Sequence, residues 1–140
     1  MYLKAQITRL LLDHFGDDNR RIEHALEVLC EAEQLLAEPE FADCDLEIVI
    51  ASALLHDVGI KPSEEELGYN NGKTQEKYGP PIAEKLLESI YFPPAKTAIV
   101  KEIIGNHHSP SRYDYPELEL LKKADRTINL RDERCQRENG

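Results

Sequence analysis

The stretch LEIVIASALLHD, residues 46–57, is apolar on every side until it ends in a histidine and an aspartate. A helix with no polar face is buried all round, so this one runs through the middle of the molecule with other helices packed about it. Burying the carboxylate of Asp57 at its end is costly unless something pairs it, so partners for His56 and Asp57 must come from elsewhere in the chain. Adjacent residues diverge in mid-helix, but at a terminus two such side chains can converge. Gly59, two residues on, is expected to cap this helix in the left-handed conformation.

Five further segments have helical spacing. The N-terminal MYLKAQITRLLLDHFG mixes Lys4, Arg9 and Asp13 with apolar residues, as an amphipathic helix does and a signal peptide does not. The next runs from Arg20 to Glu38 after GDDN, where an Asp or Asn can cap the first turn. Proline starts are read for PPIAEKLLESI, for Pro94 to Asn106, and for a last helix from Pro116 through Leu130 or beyond. Residues 61–79 read as a long polar connection with an Asn-Asn-Gly turn and room for a helical turn at TQEKY, of the kind that forms lids or binding loops, and 131–140 as a polar tail. The expectation is an all-α bundle of about six helices in a single domain over residues 1–140.

Composition narrows the function classes. A formal net charge of −10 leaves no basic stretch suited to a nucleic-acid polymer or an anionic membrane, and no apolar run reaches membrane-spanning length. Three cysteines without CxxC spacing indicate free thiols rather than disulfides or a thiolate zinc site, and a reducing, cytoplasmic setting.

Three polar residues interrupt apolar stripes. Asp125 has Leu118, Leu121 and Ile128 at −7, −4 and +3, so its carboxylate is expected to be buried. A salt bridge to Arg21 or Arg126 is one explanation for it. His107 follows Val100, Ile103 and Ile104 on their own face, with His108 rotated off it, and His24 lies at the margin of the Ile22–Leu36 stripe. Each histidine alone suits an ordinary partly buried residue, but several such residues on four helices have one common explanation, a metal ion. Imidazoles with carboxylates suit Mn, Fe, Co, Ni or Zn.

In order, RRIEHALEV, ALLHDVG, IIGNHHS and KKADRT resemble the HD-domain superfamily of metal-dependent phosphohydrolases, over roughly residues 20–130. GKTQEKYGPPIAEKLL is also similar to small bacterial HD-domain proteins, which brings no substrate. The resemblance implies that His24, His56, Asp57 and Asp125 coordinate a divalent metal. Dinuclear members carry a further histidine between the HD pair and the later HH, and residues 58–106 contain none. One metal per chain is therefore favoured over two, with His107, His108 and Glu76 as the donors available to a second, although Glu76 also reads as a solvated loop residue.

As an enzyme the chain would use the metal to activate water against a nucleotide or other small phosphate ester, Asp57 or Asp125 orienting that water. His107, if not a ligand, donates a proton to the leaving oxygen. Lys61 and Arg112 are the cations expected to contact phosphate. The other readings are a di-iron oxygenase of the same superfamily and a non-catalytic, metal-stabilised binding module.

Overall fold

The computed structural model describes residues 2–139, and among them every regular element is helical. In chain order these are α1 (Tyr2–Phe15), α2 (Asn19–Leu35), a 3₁₀ turn (Pro39–Phe41), α3 (Leu46–Leu55), α4 (Ile60–Leu67), α5 (Gly72–Ser89), α6 (Pro94–Ile104) and α7 (Pro116–Asn139). None is long and apolar enough to cross a membrane.

The apolar run becomes α3, whose residues from Ile48 to Leu55 are all buried. Around it pack α1, α2, α6 and α7, while α4 lies against α5 and α5 against α6. The core draws Ile7 and Leu11 from α1, Val28 from α2, Leu87 from α5, Ile103 from α6 and Ile128 from α7. Caps fix the starts. Asp18 accepts from the Arg21 N–H at the head of α2, and Asp45 from the Ile48 N–H at the head of α3.

The chain departs from its sequence-based expectations between Val58 and Ser89. Residues 61–79 are not an open connection: seven α-helices form instead of six because α4 and the first turns of α5 occupy this stretch. Asn71 and Thr74 close a reciprocal capping box, which starts α5 at Gly72 and leaves Pro80 and Pro81 inside the helix rather than at its head. The two prolines remove the N–H groups that would bond the Glu76 and Lys77 carbonyls.

Gly59 is not a left-handed cap either; its φ is −76° and it begins α4. Its constraint is space, since a Cβ there would stand 2.6 Å from the Gly79 nitrogen and 2.8 Å from the Gln75 oxygen. Gly79 in turn presses on Ile104, so the two glycines let α5 wedge between the turn after α3 and the end of α6. The expected tail at 131–140 is polar but helical as far as Asn139, continuing α7 beside α2, where Arg131 lies 3.7 Å from Glu31.

Candidate metal centre

Five polar side chains meet where four elements converge. His24 projects from the second turn of α2, His56 and Asp57 end α3, His107 sits in the turn after α6, and Asp125 is in mid-α7. His24 Nε2 lies 3.1 Å from Asp125 Oδ1 and 3.6 Å from Asp57 Oδ2. His56 Nε2 lies 3.3 Å from Asp57 Oδ2 and 3.4 Å from Asp125 Oδ1. Asp57 divides its oxygens, Oδ1 facing His107 Nε2 at 3.9 Å. The carboxylates of Asp57 and Asp125 are 13% and 15% exposed, so Asp125 is nearly buried, and its neighbours are imidazoles rather than an arginine. Arg21 instead grips Glu64 through two bonds of 2.9 and 3.1 Å.

The buried histidines are held in one orientation. Nδ1 of His56 donates to the Ala53 carbonyl at 2.7 Å, and Nδ1 of His107 to the Ile104 carbonyl at 2.6 Å, each three residues back. With the ring proton spent there, each neutral imidazole turns its Nε2 lone pair inward, and both Nε2 atoms are buried without a hydrogen-bond partner. The His56 lone pair, facing carboxylate oxygens at 3.3 and 3.4 Å, requires a cation between them, either a proton or a metal ion, and the His107 lone pair faces Asp57 Oδ1 at 3.9 Å. The donor atoms of His24, His56 and Asp57 all lie within 4.8 Å of one another, and imidazole with carboxylate is a fitting set for a transition metal.

With protons alone, the cluster is strongly polarised. Burial opposes the charge on His56, but Asp57 and Asp125 hold its imidazole well above the usual range. Burial likewise opposes the charge on Asp57, yet His56 and His107 keep that carboxyl well below the usual carboxylate range. Asp125 is held below it against burial by His24 and His56.

A second group shares Asp57 with His107 and His108. The His108 ring is engaged by Gln75, its Nε2 being 2.6 Å from Oε1, while its backbone N–H donates to Glu76 Oε2 at 3.0 Å. Glu76 also accepts from the Ser109 hydroxyl at 2.8 Å, so its carboxylate fastens the turn after α6 to α5.

Neither cation expected to meet phosphate lines the clefts that reach the cluster. Lys61 lies in the first turn of α4 within the field of His14. Arg112 donates to the Gly105 carbonyl at 3.1 Å and holds its own loop. Two clefts do reach the cluster. One, of about 970 Å³, opens between α2 and α7 and is lined by Arg21, His24, Asp57 and Asp132. The other, of about 540 Å³, opens between the α6–α7 turn and α7 and is lined by His107, Asp125, Lys122 and Arg126. Sequence reasoning missed Asp132, whose Oδ2 lies 4.0 Å from His24 Nδ1; the signal was its place two turns after Asp125 on the same helical face.

Comparison with curated proteins gives no match. Among solved structures, the chain is similar to a predicted HD superfamily hydrolase from an uncultured Thermotogales bacterium, with 28% identity and a TM-score of 0.65. The similarity covers 87% of this chain but 66% of that protein, so this chain spans slightly less than two thirds of its length. The HD domain family model matches residues 21–130, a span that begins three residues before His24 and ends five after Asp125. The chain belongs to the HD domain family.

Proposed function

We propose that the chain is a metal-dependent phosphohydrolase acting on a nucleotide or another small phosphate ester. The observation that carries this reading is the pair of buried Nε2 atoms on His56 and His107, partnerless and aimed at the carboxylates between them. His24, His56, Asp57 and Asp125 would hold one divalent transition metal. When bound, such a metal supplies a Lewis acid and an activated water for attack at phosphorus.

The protein's own groups supply the rest. Asp57 Oδ1, turned away from His24 and His56 towards His107, is the oxygen placed to accept a hydrogen bond from the attacking water. His107, with Nδ1 committed to Ile104, offers an acceptor at Nε2; it takes up a proton first and gives one to the leaving oxygen only afterwards. Glu76, through His108 N–H and Ser109, keeps the turn that carries His107 in place.

A dinuclear, oxygenase-like centre is favoured by one observation, the second group of Asp57, His107 and His108. The engagement of His108 Nε2 by Gln75 speaks for one metal. Metal content by plasma mass spectrometry, on protein purified without added metals or chelators, separates the two: about one transition metal per chain supports the hydrolase, and two irons support the oxygenase. Asp57→Ala should lose both metal and phosphatase activity in nucleotide and phosphomonoester screens. Full retention of both would sink the proposal.

A further inference from the structure

The two clefts carry opposite electrostatic instructions. In the cleft between α2 and α7, Arg20 and Arg21 face six carboxylates, among them Glu27, Asp57 and Asp132. Arg21 is moreover already held by Glu64 and by Asp18, at 3.2 Å. A phosphate approaching there meets a net negative wall, whereas a divalent cation is drawn in.

The cleft beside the α6–α7 turn balances three cations against three carboxylates, one of which is Asp125 itself. Lys123 is turned away to Glu38 and Glu40, at 3.2 Å from each. Lys122 bonds directly to neutral oxygens, the Ser109 carbonyl and the Ser111 hydroxyl, both at 2.7 Å, and meets the Glu119 carboxylate only through that hydroxyl, which donates to it at 2.6 Å. Arg126 is exposed, follows Asp125 directly, and among the described residues has no carboxylate within ion-pair distance.

We infer that this second cleft is the entrance for the anionic substrate, and that Arg126 is the residue that holds its phosphate while Lys122 adds field from the turn. The inference rests on the proposed phosphohydrolase reading and assigns it a side and a residue. A guanidinium one residue from Asp125 can hold a phosphate oxyanion through paired N–H groups. Metal and substrate would then use separate doors, the acidic one for the cation and the charge-balanced one, with its unpaired guanidinium, for the anion.

The test is a calorimetric titration of inorganic phosphate into the Mn²⁺-loaded full chain, with metal content measured on each sample. Arg126 is exposed, so its variants should fold, and circular dichroism checks this. Arg126→Gln should weaken phosphate binding on the order of tenfold, Arg126→Lys should recover much of it, and Arg20→Gln, which removes the same charge from the other cleft, should leave it unchanged. If wild type binds phosphate and Arg126→Gln binds equally well, or if Arg20→Gln weakens it as much, the inference falls while the hydrolase reading stands. If the metal-loaded wild type binds no phosphate at millimolar concentration, both fall.

Discussion

His56 and His107 stand edge to face, with ring centroids 5.5 Å apart, and each donates its Nδ1 proton to the carbonyl three residues earlier. Two different helix ends thus deliver the same local device, a histidine just beyond the last turn folded back onto its own helix. The consequence is a pair of inward Nε2 atoms, of which that of His107, 3.9 Å from Asp57 Oδ1, is a buried acceptor with no partner when no metal is bound. His107→Leu should therefore leave the metal-free protein at least as stable as wild type, by up to about 1 kcal/mol, while reducing the stabilisation that added metal gives. Thermal melts with and without Mn²⁺ check both halves; a metal-free variant that melts well below wild type contradicts the first.

Proton and metal compete for the same place, and the signs follow. His56 is raised in the folded, metal-free chain, so its contribution to stability is present below its unfolded pKa of about 6.5 and is lost as pH rises through the folded value. Asp57 and Asp125 are lowered, so theirs is present above about 4 and is lost as pH falls. The metal-free cluster is most stabilising between those limits, and metal uptake near neutral pH should release about one proton and tighten as pH rises. Calorimetry in two buffers of different ionisation enthalpy should give different apparent heats; identical heats would contradict this.

Asp132 faces the outer nitrogen of His24 at ion-pair distance, without the hydrogen bond by which backbone carbonyls orient His56 and His107. Its Oδ2 is 4.0 Å from Nδ1. Asp132→Asn should weaken metal binding by about tenfold with little change in the melting of the metal-free chain, as measured by competition with a chromophoric chelator. An unchanged affinity would leave Asp132 as an ordinary surface carboxylate.

Tyr91 holds φ 58°, the left-handed region, at the turn after α5, with its ring 93% exposed. No packing compensates a Cβ there, so Tyr91→Gly should stabilise the chain by about 0.5–1 kcal/mol in urea unfolding. A loss of stability would show that the ring contributes something its exposure hides.

The ligand-type residues were legible because each breaks an apolar stripe: a carboxylate at Asp125 or a histidine at His107 cannot lie on a core face without a reason. The central helix was legible from its uniform greasiness. The α4–α5 hairpin was not, because its helices are held by Asn71, Thr74, Gln75 and Glu76, polar side chains whose partners lie on the neighbouring turns and beyond the α6 end. Pro80 misled for a related reason: a proline reads as a helix start, and only the capping box at Asn71 moves that start upstream. Lys61 and Arg112 were chosen for closeness in sequence to the anchors, but neither lines a cleft that reaches the cluster, whereas Asp132 and Arg126 on α7 do.

His24 and Asp125 touch across 101 residues of chain. They work as a clasp between α2 and α7, and a chain emerging from the ribosome carries His24, His56 and Asp57 long before Asp125 is there to meet them. The cluster closes only after α7 arrives, so the growing protein completes it in one step rather than by degrees.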